Sequence, residues 1–223
     1  MKYTRKSRAG QLVFTLSILL ALSIFDAAVA DDSWQVRGNF LAIDPRGDRS
    51  ERQVIENLEV NTFIDHDNSL GLSAERRFKG RLGLELGLFV ASPDLQVVVV
   101  DRISREAFGA VDSLDLFSFS AGLNVHLTPN RRADVYAGPV VALISASDLN
   151  LRDSGEVQTF KIDSEIVLGA VVGVDVRIKD SRWAFNANVR YLDYSFKPAA
   201  EDGGRVDIQF DPVIVGLGAS YRF

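Results

Sequence analysis

Cysteine is absent from the 223 residues. No disulfide framework, thiolate nucleophile, cysteine-based zinc site or lipidated cysteine anchor can therefore be built. Beyond residue 30 no apolar run approaches the ~20 residues that a membrane-crossing helix needs. The earlier run, Leu12 to Phe25, follows a basic start (Lys2, Arg5, Lys6, Arg8) and precedes Ala28-Val29-Ala30. That is the arrangement of a secretory signal cleaved before Asp31. Residues 1–30 are accordingly read as a signal peptide and 31–223 as a single domain. Positive charge is also in deficit: removing four basic residues and Asp26 leaves 21 basic against 29 acidic, net −8. An acidic exported chain without clustered Lys and Arg is a poor nucleic-acid binder, so no nucleic-acid partner is expected.

Strict period-two alternation is what the chain does have. From Leu82 to Leu88 each even position is Leu and each odd one Gly or Glu. Residues 166–178 place Ile166, Leu168, Ala170, Val172, Val174, Val176 and Ile178 on one face, with Gly169, Gly173, Asp175 and Arg177 opposite. Trp183, Phe185, Ala187, Val189 and Tyr191 alternate with Asn186, Asn188 and Arg190. Near the start, Trp34, Val36 and Phe40 alternate with Gln35, Arg37 and Asn39, and the last ten residues behave alike. Eight strands follow: 33–43, 68–78, 81–91, 114–127, 133–145, 164–178, 182–195 and 206–223.

Their connectors alternate between short and long. Lys79-Gly80, Thr128 to Arg132 and Lys179 to Arg182 are tight turns, whereas 44–67, 92–113, 146–163 and 196–205 are long and polar. A sandwich needs no such alternation; an outer-membrane barrel has it, with turns periplasmic and loops outside. A soluble calyx would point its apolar face inward and carry charge outside. Here the polar face is rich in Gly, Asn and Ser, which suits the inner wall of a narrow barrel. Phe78, Trp183, Tyr221 and Phe223 lie where a periplasmic aromatic girdle belongs. The expected fold is an all-β, eight-stranded, antiparallel up-and-down transmembrane barrel in a Gram-negative outer membrane, contacting its lipid and lipopolysaccharide. Leu84 and Val174 are read as lipid-facing positions near mid-bilayer.

The ordered stretches Trp34-Gln35-Val36-Arg37-Gly38, Asn68-Ser69-Leu70-Gly71-Leu72, Leu82 to Leu86 with Ala91-Ser92-Pro93, Asp134 to Gly138, Trp183 to Tyr194, and Asp211-Pro212 through Gly218 to Phe223 resemble the outer-membrane protein W (OmpW) family. The resemblance runs along nearly all of residues 31–223. It implies passage of small hydrophobic molecules: an apolar upper channel, a polar lower half that blocks it, and sideways exit between strands into the bilayer. Tyr221-Arg222-Phe223 resembles the terminal aromatic signal read by the barrel-assembly machinery, though Phe223 also reads as a girdle residue. Two departures stand out. Pro139 interrupts a strand in a closed barrel, where a bulge is expected. Val97 to Val100 are apolar inside a loop, and either extend a hairpin above the membrane or line a binding surface.

Polar-phase positions that are nonetheless apolar in upper strand halves, Phe89, Leu192 and Tyr194, are the candidate path lining. Glu85, Asp175, Arg177, Asn188, Arg190 and Arg222 read as a paired network that plugs the lumen. Eight strands leave an interior nearly filled by side chains, which excludes a wide diffusion pore. Of the two histidines, His126 falls at the periplasmic end beside Thr128, and His66 sits in an exposed loop between Asp65 and Asp67. No nucleophile, base and orienting group assemble from them, so neither enzymatic activity nor a cofactor is expected. A non-transporting barrel that displays loops for docking, adhesion or stress protection is the alternative.

Overall fold

The computed structural model describes residues 34–45, 51–55, 58–78, 81–101, 107–129, 131–153, 156–196 and 208–223. The expected signal peptide and the turn at Lys79-Gly80 lie outside them. Among the described residues sixteen strands follow one another: β1 (Trp34–Pro45), β2 (Glu51–Ile55), β3 (Leu58–Ile64), β4 (Asp67–Phe78), β5 (Leu82–Ala91), β6 (Asp94–Asp101), β7 (Ala107–Ser113), β8 (Leu116–His126), β9 (Ala133–Ala146), β10 (Leu149–Asp153), β11 (Glu156–Phe160), β12 (Glu165–Arg177), β13 (Trp183–Asp193), β14 (Ser195–Phe196), β15 (Ile208–Gln209) and β16 (Pro212–Arg222).

Eight of them, in the order β1-β16-β13-β12-β9-β8-β5-β4, close into one antiparallel barrel. Closure pairs the first strand with the last, Gln35 against Arg222 and Gly38 against Ala219. No wall strand is left with an open edge, as a spanning sheet in lipid requires. Seven of the eight fall within two residues of the spans expected from alternation, whereas β16 begins six residues after the expected 206, because Ile208-Gln209 pair with Ser195-Phe196 outside the barrel wall. The remaining strands are built from the long connectors. β2, β3, β6 and β7 form a four-stranded sheet, while β10-β11 and β14-β15 are two-stranded. Val97 to Val100 belong to β6, between β3 and β7, with Val60 opposite Val99. They extend a hairpin above the barrel, the first of the two expected placements.

Alternation also settles the faces. Leu70 is 70% exposed, Ile166 72% and Leu217 60%, whereas Glu85 is 4% and Asp175 1% exposed. So broad an apolar belt around the outside is the surface lipid covers, with the charges inside. At the lower end Trp183 packs edge-on to Tyr221 at 5.0 Å, and Tyr221 to Phe223 at 4.9 Å. Arg76, which points outward, lies over the rings of Trp34 (5.9 Å) and Phe78 (5.7 Å). Its aliphatic stem spans apolar surface while the guanidinium reaches the interface. Leu84 is the register partner of Arg76. This corrects its expected depth: Leu84 faces lipid but sits toward the lower girdle.

Pro139 does not create a bulge. The β8–β9 register is the same on both sides of it: Gly122 pairs with Val140 and Val125 with Ala137. What is missing is pairing at the two intervening positions, Leu123 and Asn124, opposite Pro139 and Gly138. The lost N–H removes ladder bonds without inserting a residue. Gly138 fills the adjoining position because a Cβ there would collide with the Leu123 carbonyl.

The short turns have local causes. Thr128 Oγ1 donates to the Ala133 carbonyl and accepts from Val135 N–H, both at 2.9 Å. Asp180 adopts φ 57° between Lys179 and Ser181, a left-handed conformation that Asp tolerates better than most residues.

Candidate functional site in the barrel lumen

Two layers fill the lumen. The lower one is charged and centres on Arg37, which is 1% exposed. Arg37 Nη1 donates to Glu75 Oε2 at 3.0 Å and Glu85 Oε2 at 2.9 Å, and Nη2 donates to Asp175 Oδ2 at 2.9 Å. The guanidinium also lies 4.7 Å from the centre of the Tyr136 ring. Alternation from β1, β4, β5 and β12 carries the four charged groups to one level. A single cation facing three carboxylates would be in deficit, and neighbours supply the balance. Arg77 bonds Glu75 at 3.1 Å, Asp134 at 2.6 Å and Gln35 at 2.7 Å. Arg190 bonds Glu85 at 2.8 Å. Asn124 donates to Glu75 at 2.9 Å, and Asn186 donates to Asp175 at 2.9 Å and to the Tyr136 hydroxyl at 3.1 Å.

Small residues on the inner wall make room for these long side chains. A methyl group on Gly83 would sit 2.6 Å from the Glu75 carboxyl carbon. One on Gly173 would run into the Tyr136 ring.

Of the six expected network residues, Glu85, Asp175 and Arg190 join the cluster directly. Asn188 joins through a bond to Asn186 at 2.8 Å, and Arg222 through Gln35 at 3.3 Å. Arg177 stands apart at the lower mouth, with Nε and Nη2 meeting no hydrogen-bond partner among the described residues. Arg37, Glu75, Arg77, Asn124 and Asp134 were not singled out from sequence. His126, set aside there as a bystander of the periplasmic turn, is buried in the cluster. Its Nε2 lies 2.8 Å from Glu75 Oε1, and its Nδ1 lies 3.2 Å from Asp134 Oδ1. Thr128 beside it is occupied by the turn. His66 is exposed, 3.1 Å from Asp44. Among the described residues no group of three or more His, Cys, Asp or Glu is placed to hold a metal.

The upper layer is apolar. Phe89, Leu192 and Tyr194 point inward and are 6%, 1% and 0% exposed. Around them pack Leu41, Val140, Val171 and Ile214 from the wall. Leu95, Leu114, Ile162 and Phe210 descend from the loop bases into the same cluster. Those four loop residues cap the lumen. The cavity found between the two layers, bordered by Arg37, Leu41, Phe89 and Tyr136, measures about 30 Å³, room for a water or two and no more. The β8–β9 gap at Pro139 lies at the same border, with Tyr136 below it and Val140 above it.

Comparison with known proteins agrees with this architecture. OprG from Pseudomonas aeruginosa superimposes with a TM-score of 0.66 at 22% identity, covering 85% of this chain and 95% of OprG. AlkL in lipid bilayers gives 0.60 at 22% identity, with coverage of 85% and 89%. Neisserial surface protein A gives 0.55 at 14% identity, covering 86% and 97%. At these identities the likeness is one of fold: an outer-membrane barrel of the OprG and AlkL type, as the OmpW resemblance implied. No match to a curated protein sequence was found. The model of the outer membrane protein beta-barrel domain matches residues 15–223, so the chain belongs to that family of Gram-negative outer-membrane barrels.

Proposed function

We propose that this barrel facilitates passage of small hydrophobic molecules across the outer membrane. The observation that carries the reading is the division of the lumen: an apolar upper half above a charged layer closed by its own ion pairs. An apolar solute gains by leaving water for the upper half and is stopped by the polar layer. Its exit is sideways into lipid, and the wall's interrupted ladder at Pro139 sits at the level where the path is blocked. Passage requires Leu95, Leu114, Ile162 and Phe210 to move, since they fill the entrance. The filled lumen and the four-stranded sheet above it favour the second reading, a loop-display barrel.

Uptake of a labelled apolar solute and a labelled small polar solute, in cells with and without the protein, separates the two. The conduit predicts slower apolar uptake in the deletion, unchanged polar uptake, and recovery on complementation. Equal uptake of both solutes overturns it in favour of display. A fall in polar uptake alone overturns the sealed charged layer.

The same reading takes residues 1–30 as a cleaved export signal, places the barrel in contact with lipopolysaccharide, and gives Tyr221 and Phe223 to the assembly machinery. Deleting Phe223 is expected to lower outer-membrane yield several-fold. The refolded variant should lose only about 1–3 kcal/mol, the worth of one aromatic pair and of the Phe223 N–H bond to the Trp34 carbonyl. Normal yield in cells would remove the sorting role and leave Phe223 as a girdle residue.

A further inference from the structure

We propose that the periplasmic mouth binds a phosphate-class anion between Arg177, Arg182 and Arg222. The argument begins with charge balance. The four lumen carboxylates are already engaged: Glu75 and Glu85 by Arg37, with Arg77 and Arg190, Asp134 by Arg77, and Asp175 by Arg37, Asn186 and Ser220. Among the described residues five arginines line the lumen against these four carboxylates, an excess of one guanidinium. That one is Arg177, whose Nε and Nη2 are enclosed yet bond to nothing among the described residues. A buried donor without an acceptor is a standing cost, and an anion or water must serve it. Arg222 is only weakly satisfied, 3.3 Å from Gln35 and 3.8 Å from Asp134.

The space beside them is real. A cavity of about 140 Å³ is bordered by Arg177, Ser181, Arg182 and Arg222, with Phe223 beside them and Gln35, Ser220 and the Asp175 carboxylate, already held by Arg37 and Asn186, on its inner side. It adjoins, through Arg177, Ser181 and Arg182, an open recess of about 620 Å³ lined further by Arg131, Arg132 and Lys179. Asp180 is the acid among that recess's lining residues. Gathering these cations on one face carries mutual repulsion, which a bound anion would relieve. Guanidinium forks match the oxygens of a phosphate in a bidentate fit. The mouth is level with Trp183, Tyr221 and Phe223, so the phosphate has two sources: a periplasmic solute or the headgroup of an inner-leaflet phospholipid.

The test uses the full barrel refolded in zwitterionic detergent, followed through its arginine Nε–H resonances while inorganic phosphate is titrated. A second arm compares nanodiscs of phosphatidylcholine with nanodiscs containing phosphatidylglycerol. A saturable shift with phosphate that Arg177→Gln weakens at least tenfold supports the site with a soluble anion. A shift confined to phosphatidylglycerol discs, and lost in the same variant, supports it with a headgroup. No shift in either arm overturns it, as does a shift that Arg177→Gln leaves intact or that chloride at equal ionic strength reproduces. Where Arg177→Gln fails to fold, Arg182→Gln on the exposed turn carries the same comparison.

Discussion

Replacing Arg37 by Met is expected to destabilise the barrel by about 3–5 kcal/mol, the usual consequence of removing one partner from a buried ion pair. The size follows from what stays behind. Glu75, Glu85 and Asp175 would all lose the cation they share at 2.9–3.0 Å, while staying almost fully buried. The Tyr136 ring would also lose the guanidinium against it. Arg190→Met is the control. Arg190 pairs with one carboxylate among the described residues, Glu85 at 2.8 Å, bonds Ser120 more weakly at 3.3 Å, and has a side chain 14% exposed. Glu85 would keep Arg37 and Asn124, so the loss should stay near 1–2 kcal/mol, within the range for one charged hydrogen bond. Denaturant unfolding in lipid vesicles, read from Trp34 and Trp183 fluorescence, measures both. Equal losses for the two variants would show that the charge cluster has no centre.

The asymmetry between those arginines is not visible in the sequence: alternation places both on the polar face, and only Arg190 reads there as a network member. Strand existence and facing were legible because lipid outside and a narrow lumen inside impose opposite chemistry on alternate positions. Leu82 to Leu88 against Gly83, Glu85 and Gly87 could be read no other way. What alternation leaves open is height: residues 138 apart, such as Arg37 and Asp175, meet only once the register of four strands is known. The stretch Glu75-Arg76-Arg77 hid two network members because outward Arg76 breaks the pattern. Arg76 is tolerated there since it reaches the interface over Trp34 and Phe78. His126 and Asp134 were obscured by lying beside a turn, where polar residues are ordinary. The loop strands escaped for a different reason. β3 does alternate, but its partner β6 lies across β4 and β5 in the chain, and the pairing is non-local.

The same distinction between facing and height governs the lipid side. Leu82, Leu84, Leu86, Leu88 and Val90 form one outward column on β5, with Phe78 opposite Leu82 and Leu70 opposite Val90. At about 3.3 Å per residue and a tilt near 40°, the column spans ~20 Å of depth, close to the whole apolar band. Leu86 is therefore the midplane residue and Leu82 a girdle residue, with Leu84 between them. Leu86→Arg is expected to cost about 2–4 kcal/mol, and Leu82→Arg about 0–1 kcal/mol, because a guanidinium at the girdle reaches headgroups and water. Both side chains are exposed to a similar degree, 38% and 46%, so exposure alone predicts no difference between them. Unfolding free energies of the two variants in the same vesicles separate depth from facing. If they fall equally, the barrel sits at another height in the membrane than Trp34, Phe78, Trp183 and Tyr221 indicate, and the level assigned to the charged layer and to the Pro139 seam shifts with it.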